Sequence, residues 1–422
     1  MLVRIRPETI PEAVRDLCQV LARAGHGAWV VGGCLRDLLR GAPAADWDLA
    51  TSARPEQVRQ LFRRVIPTGI QHGTVTVRLG GQGFEVTTLR GEGAYSDGRR
   101  PDRVEFVEDV REDLARRDFT VNAMAYDPIG DRLEDPFGGI ADLSAGLIRA
   151  VGDPHERFSE DGLRVLRAAR FAATLEFELD PLTEAAIRPT LDTFRKVSAE
   201  RVRDEWNKAL AARIPSRAFE IMARTGIVDQ TFPALLQRPG DEWAGRMRAV
   251  DNAPVDLVMR LSALCYRVDP EEVGRWLTRY RYSNRERQRV MHLLAHLPRA
   301  GLSNAPDPDL RRWARAVGRD DIGAATELNI ILQIAHAGAD SAAVTEARRL
   351  QDRLTSLIDR ETPLSARDLK ISGRDLMQDL GLSPGPKIGE TLEALLQRVL
   401  EEPELNQRPQ LLKLAKEMAG ET

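Results

Sequence analysis

The sequence predicts an α+β protein, with a small mixed-sheet head at the N-terminal end and an all-helical remainder. Three observations carry this reading. Period-two alternation is confined to the first third of the 422 residues, whereas from Pro154 onward apolar residues recur at helical spacing between turns marked by Gly and Pro. Asp46 and Asp48 stand two residues apart, shortly after a Gly32-Gly33 pair on the joint between a predicted strand and a predicted helix. That is the pattern of a phosphate and metal site set on a small sheet.

Ala28-Trp29-Val30-Val31 reads as a short buried strand, and Cys34 to Arg40 as a helix closed by Gly41 and Pro43. Two glycines at their joint let backbone N–H groups approach a ligand, and the first helical turn adds unpaired donors. A triphosphate fits such a joint, and so does a plain tight turn. The joint is neither a Walker loop, since no Gly-Lys-Ser/Thr follows, nor the G-x-G-x-x-G of dinucleotide folds. On a strand, Asp46 and Asp48 would share one face with Trp47 turned to the other. Side-by-side carboxylates call for a hard cation such as Mg²⁺.

Val75 to Leu79 and Phe84 to Leu89 alternate around Gly80-Gly81-Gln82-Gly83 and predict a hairpin, with Glu85 facing opposite to Phe84. The glycines, charges and proline between Arg90 and Val104 predict a loop. Arg116 to Asn122 predicts the start of a helix, with Asp118 and Asn122 at i, i+4 suited to grip a ribose. Asp161 and Arg164, at i, i+3 on a helix, present an acceptor beside a donor fork. Such an edge fits the amino group and ring acceptor of both cytosine and adenine, and opposes uracil and guanine, whose polarities are reversed. An ordinary Glu160 to Arg164 ion pair is the competing reading.

Composition excludes some classes. Net charge is only −3, so nucleic-acid contacts must come from local clusters such as Arg99, Arg100 and Arg103, or Arg164, Arg167 and Arg170. Length suggests two to four domains. Three widely spaced cysteines, Cys18, Cys34 and Cys265, argue against a disulfide framework or a structural zinc. No stretch reaches the roughly 18 apolar residues of a membrane span, and the start lacks an apolar leader core, so a cytoplasmic protein is expected.

In order along the chain, Gly32-Gly33, Arg36-Asp37, Asp46-Trp47-Asp48, Arg116-Arg117-Asp118-Phe119-Thr120-Val121-Asn122, Asp135-Pro136-Phe137-Gly138-Gly139, Glu160-Asp161-Gly162-Leu163-Arg164 and Ser198-Ala199-Glu200-Arg201 cover about its first half. Together they resemble the class II tRNA nucleotidyltransferase (CCA-adding enzyme) and bacterial poly(A) polymerase family, within the polymerase-beta-like nucleotidyltransferase superfamily. Leu369 to Leu376 and Gly381 to Gly389 resemble the tail of the same enzymes. No His-Asp pair occurs, so the phosphohydrolase module of some relatives is missing.

The resemblance implies a catalytic nucleotidyltransferase head over 1–145 and a helical neck with the nucleotide-selecting motif over 146–225. A helical body over 226–360 and a helical, tRNA-binding tail over 361–422 would follow. It implies template-independent addition of CCA, or its last nucleotides, to the 3′ end of tRNA from CTP and ATP, with release of pyrophosphate. The partner is the tRNA acceptor arm, with no DNA and no membrane. Asp46 and Asp48 would bind two Mg²⁺ ions. Glu85 would be a third active-site carboxylate, an exposed cross-strand residue being the other reading. Gly32, Gly33 and Arg36 would cradle the triphosphate, Arg117, Asp118 and Asn122 the ribose, and Asp161, Arg164 and Arg167 would select the base. The loop with Tyr95, Asp97, Arg99 and Arg100 would serve addition of the terminal A, and Gly385, Lys387 and Gly389 would hold tRNA phosphates. An A-adding specialist, a poly(A) polymerase and a noncatalytic RNA-binding protein on the same scaffold stay open.

Overall fold

The computed structural model describes residues 4–44, 46–91, 105–237, 241–358 and 362–420. The chain divides into two compact units, one ending at Leu236 and the other beginning at Gln237.

The first unit is built on a seven-stranded mixed sheet in the order β3-β4-β5-β2-β1-β6-β7. Its strands are β1 (Ala28–Val31), β2 (Asp48–Thr51), β3 (Val65–Gly69), β4 (Thr74–Leu79), β5 (Gln82–Thr88), β6 (Ala125–Asp127) and β7 (Arg132–Glu134). Only β2 and β5 run parallel; the other neighbours are antiparallel. The predicted hairpin forms, with a tighter turn than expected. Leu79 pairs with Gln82, and the two-residue loop is Gly80 and Gly81 at φ 57° and 81°, the left-handed conformation that a primed hairpin turn requires. Alternation then decides the faces. Val75, Val77, Phe84 and Val86 are buried, while Arg78 and Glu85 on the other face are exposed.

Helices α1 (Glu12–Arg23), α2 (Gly33–Leu39), α3 (Pro55–Leu61), α4 (Val110–Ala115) and α5 (Gly139–Ala145) accompany the sheet. A small apolar core of Val31, Ala50, Leu89, Leu114 and Ala125 ties its centre to α4. The rest of this unit is α6 (Pro154–Glu160), α7 (Leu163–Leu175), α8 (Pro181–Ala185), α9 (Leu191–Phe194), α10 (Ala199–Leu210), α11 (Ser216–Thr225) and α12 (Ile227–Thr231). The expectation of helices alone after Pro154 needs one correction. Glu178–Leu179 (β9) pairs in parallel with Leu147–Ile148 (β8), and so short a ladder has no periodicity to read.

The second unit is helical among the described residues: α13 (Asp241–Asn252), α14 (Leu257–Cys265), α15 (Pro270–Arg279), α16 (Asn284–Ala295), α17 (Asp307–Val317), α18 (Ile322–Ala337), α19 (Ala342–Leu357), α20 (Gly373–Leu380), α21 (Pro386–Glu401) and α22 (Arg408–Gly420). One apolar cluster runs from Leu310 and Leu350 through Leu376 and Leu396 to Leu411, so the last sixty-odd residues share their core with α17 and α19. All three cysteines are free and buried, and no helix among the described residues is long and apolar enough to cross a membrane.

Candidate active site

An open cleft of about 900 Å³ in the first unit gathers side chains from the sheet end, α2, α7 and α10. Its floor is where β1 ends and β2 begins, beside the middle of β5. Asp48 opens β2 and pairs with Glu85 in the parallel β2–β5 register, so their backbones are about 4.8 Å apart and both carboxylates face the cleft. Asp46 lines the same cleft but lies on a bend before β2, not on a strand as expected. The reason is the partner: the β1 ladder stops at Val31 opposite Asp48, leaving nothing for Asp46 to pair with.

Desolvation in the cleft raises the Asp48 pKa above the ordinary carboxylate range; Glu85 raises it further, Arg117 opposes, and Asp46 adds to the rise. A carboxylate whose charge is opposed by negative neighbours is relieved by a cation. Among the described residues no group of three or more His, Cys, Asp or Glu stands preassembled about a metal. The donors nevertheless fit Mg²⁺, which takes one or two carboxylates and completes its shell with waters and substrate phosphates.

Gly32 sits opposite these carboxylates at φ 78°, and a Cβ there would lie 3.5 Å from both Asp48 Oδ2 and Arg117 Nη1. The glycine permits the turn and keeps the space between charges open. Gly33 then starts α2. Arg36 is buried, and its guanidinium is already engaged. Nε and Nη2 donate to Asp37 at 2.9 and 3.0 Å, and Nη1 donates to Asn122 Oδ1 at 2.7 Å. It braces the Gly32-Gly33 turn against the Asp118–Asn122 pair.

Arg116 to Asn122 is not the start of an α-helix. The helix α4 ends at Ala115, Phe119 is extended, and Thr120–Asn122 forms a single 3₁₀ turn. Tertiary contacts override local preference here: the Phe119 backbone bridges to Ala150 and its ring meets Phe171 edge-on at 5.7 Å. The pair meets all the same, Asn122 Nδ2 donating to Asp118 Oδ1 at 3.1 Å. Burial pushes Asp118 up, but Arg167, with Nε 2.8 Å from Oδ2, and the Asn122 amide hold it down at about 2. Arg117 donates to the Asn122 carbonyl at 3.2 Å.

Asp161 and Arg164 do not share a helix. Asp161 is the last residue before a break, and Gly162 separates it from α7. A Cβ on Gly162 would stand 2.5 Å from Phe194 N and 2.6 Å from Thr193 C, so the close backbone crossing calls for glycine there, while the break itself is the extended backbone of Asp161 at φ −137°. The Asp161 carboxylate accepts from Leu163 N at 3.0 Å, capping α7, and from both Nη atoms of Arg201 at 3.2 and 2.6 Å. Of about four acceptor sites on a carboxylate, one remains. Arg164 pairs with Glu160 across the break and donates to the carbonyls of Arg157 at 2.7 Å and Arg116 at 2.9 Å. The competing ion pair is therefore real, and Arg164 and Asp161 still line one cleft with Arg167.

Two groups were missed in sequence. Asp113, almost fully buried, holds Arg116 and Arg117 and accepts from the Arg90 N–H; its i+3 and i+4 arginines were a legible signal. Arg201 stood in the Ser198-Ala199-Glu200-Arg201 motif without a role, and Glu205 was not singled out; both come from α10, where Arg201 holds Asp161 and Glu205 holds Arg170 of α7, and nothing local announces either contact. Tyr95, Asp97, Arg99 and Arg100 lie outside the described residues. In the second unit, Gly385 caps α21, while Lys387 and Gly389 lie inside its first turn and not before the helix as expected, because Pro386 starts it. All three are exposed.

A profile of the poly(A) polymerase head domain matches residues 28–149, one described as "Probable RNA and SrmB- binding site of polymerase A" matches 176–237, and tRNA nucleotidyltransferase domain 2 matches 259–415. The CCA-adding enzyme of Lactobacillus johnsonii is 46% identical over 230 residues, 54% of this chain and 57% of that protein. This match and others like it span about half the length of the curated relatives. The CCA-adding enzyme of Limosilactobacillus fermentum is 34% identical across 97% of this chain and 98% of its own. The crystal structure of the Bacillus stearothermophilus CCA-adding enzyme in complex with CTP is similar with a TM-score of 0.75 at 29% identity, over 97% of this chain and 99% of that one. Three profiles of one enzyme group in succession, and a full-length relative at 34% identity, mean that the chain belongs to the CCA-adding enzyme family of tRNA nucleotidyltransferases.

Proposed function

We propose that this protein adds CCA to the 3′ end of tRNA from CTP and ATP, releasing pyrophosphate at each step, with its chemistry in the head and its tRNA grip in the helical neck, body and tail. The observation that carries the proposal is convergence. Asp46, Asp48 and Glu85, the Asp118–Asn122 pair and the Asp161–Arg164 edge all line one cleft, in a chain whose full-length relative is named a CCA-adding enzyme.

In this reading Asp46 and Asp48 hold two Mg²⁺ ions, which supply a lowered pKa at the attacking 3′-hydroxyl and charge neutralisation on the triphosphate. Gly32 and Gly33 present backbone N–H groups to the phosphates at the start of α2. Glu85, beside Asp48, keeps the local field negative enough to retain cations. Asp118 is held ionised by Arg167, and its roughly four acceptor sites are taken by the Phe119 N–H, the Asn122 amide and two N–H groups of Arg167, so it accepts a ribose hydroxyl only in exchange for one of these donors. Asp161 accepts from the amino group of cytosine or adenine while Arg164 donates to the ring nitrogen, and Arg201 holds Asp161 in the orientation that keeps an acceptor site free. Uracil or guanine would set acceptor against acceptor at Asp161 and donor against donor at Arg164, leaving buried groups unpaired at about 1–3 kcal/mol each. Gly385, Lys387 and Gly389 hold tRNA phosphates in the tail. Three free, buried cysteines support a reducing, cytoplasmic location.

The test is incubation of purified protein with tRNA transcripts ending before CCA, after C and after CC, each with CTP, ATP or both. Addition of C, C and A to the shortest transcript is expected. ATP joined to the transcript ending in CC, with labelled CTP never incorporated, would identify an A-adding specialist instead.

A further inference from the structure

The exposed face that carries Glu85 continues across β4 and β3. Thr76 lies opposite Glu85, and Arg78 lies opposite Gly83, which carries no side chain. On β3, Ile66 lies opposite Thr76, and the Val65–Val77 register sets Arg64 opposite Arg78, whose N–H donates to the Arg64 carbonyl at 2.9 Å. Two arginines thus stand cross-strand on one face, and like charges so placed repel. Neither has a carboxylate to relieve it: Arg78 donates weakly to the Gly81 carbonyl at 3.4 Å, and among the described residues neither makes an ion pair. Both are exposed, beside a groove of about 840 Å³ that Arg63 and Phe62 also line.

The groove's place on the sheet indicates its ligand. The groups proposed to hold the incoming nucleotide flank β1, whereas β4 and β3 lie on the other side of the β2–β5 carboxylates. Arg78 is the diagonal neighbour of Glu85, about 7–8 Å away between Cα atoms. An RNA strand whose 3′-hydroxyl reaches Asp48 cannot arrive through the space the triphosphate fills. Among the described residues the β4–β3 side is the open approach, and a chain of net charge −3 offers a polyanion there a doubly positive face without an ion pair.

We propose that Arg64 and Arg78 form a phosphate-binding subsite for the backbone of the RNA substrate next to its growing 3′ end. This rests on the nucleotidyltransferase reading of the cleft. A phosphate bridging the two guanidiniums relieves their repulsion and gives each a charge-assisted partner, and sequence-independent contact is what a strand changing from no C to C to CC requires.

The experiment measures binding of a fluorescent tRNA transcript lacking CCA to the full-length protein across a salt series, for wild type, Arg64→Gln, Arg78→Gln, the double variant and the matching lysine substitutions. The expected result is weaker binding, with a log Kd against log salt slope shallower by about 1 per arginine removed. Lysine variants should keep the slope, the KM values for CTP and ATP should be unchanged, and thermal midpoints should be no lower than wild type, since a repulsion has been removed. An unchanged slope and affinity in the double variant would overturn the proposal. So would a raised nucleotide KM with tRNA binding intact, which would assign the arginines to the triphosphate. Binding is read without turnover, so a protein that binds tRNA through these arginines yet adds no nucleotide would refute the proposed reaction and leave this subsite standing.

Discussion

Replacing Arg167 with Met keeps much of the side chain's bulk and removes the charge that faces Asp118. Asp118 is 8% exposed, and its carboxylate accepts from Arg167, the Asn122 amide and its neighbour's N–H. Despite burial, which pushes it up, the group is held at about 2 against an ordinary 3.8. At about 1.4 kcal/mol per tenfold in proton affinity, that corresponds to roughly 2–3 kcal/mol. Removing one partner of a buried pair costs about 3–5 kcal/mol, so about 3 kcal/mol is expected for Arg167→Met at pH 7. Because the folded pKa is depressed, this stabilisation is complete above the ordinary carboxylate range and is lost as pH falls through about 2. In the variant burial is less opposed, so Asp118 takes up its proton at higher pH. The difference between the proteins should then narrow on acidification. Urea unfolding followed by circular dichroism between pH 4 and 8 measures it. A difference under about 0.5 kcal/mol at pH 7, or one that does not narrow toward pH 4, would refute the claim that Arg167 sustains a buried carboxylate.

Asp48→Asn should lower turnover by orders of magnitude and leave tRNA affinity nearly unchanged, while raising the thermal midpoint, because Asp48's raised pKa means the fold disfavours its charge. A variant keeping a tenth of wild-type turnover would remove Asp48 from the metal site. Glu85→Gln, which deletes the largest neighbouring negative charge, should shift the acid limb of the pH–rate profile to lower pH; an unmoved limb would make Glu85 a bystander. Asp161→Ala should admit UTP or GTP, and Arg201→Ala should loosen selection in the same direction with a smaller effect. Slower but unaltered selection in both would mean that the Asp161–Arg201 pair serves only to hold α10 against the start of α7.

Much of the head was legible because its signals are local. Ala28–Val31 and the β4–β5 hairpin were read to within a residue or two from alternation and glycines, and Asp48 and Glu85 both face the cleft. The errors share one cause, the dependence of local structure on distant partners. Asp46 left the strand because β1 was too short to pair with it. Asp118 left the helix because Phe119 found Ala150 and Phe171. Asp161 and Arg164 were parted at an extended Asp161, whose carboxylate two N–H groups of Arg201 hold from α10. In one of these three cases the side chains still meet as expected, Asn122 with Asp118, and in the other two Asp46 with Asp48 and Asp161 with Arg164 still line one cleft. Arg201 reaches Asp161 from forty residues away, and such a contact leaves no trace in spacing.

Gly162 bears on how any variant library of this protein would be read. Its φ is ordinary, so an alanine is conformationally acceptable, yet the added methyl would meet the backbone of Thr193 and Phe194 at 2.5–2.6 Å. Gly139, in the Asp-Pro-Phe-Gly-Gly stretch, is the same case, with the Thr120 carbonyl 2.3 Å from where a Cβ would stand. Backbone cannot yield as a flexible side chain can. The displaced segments would carry the residues facing base and ribose with them. Scored by activity alone, both positions would rank with Asp46 and Asp48 as intolerant sites, although neither glycine has a side chain with which to touch a nucleotide. Intolerance there measures volume, and separating it from chemistry takes a second axis, such as soluble yield or ligand binding, beside turnover.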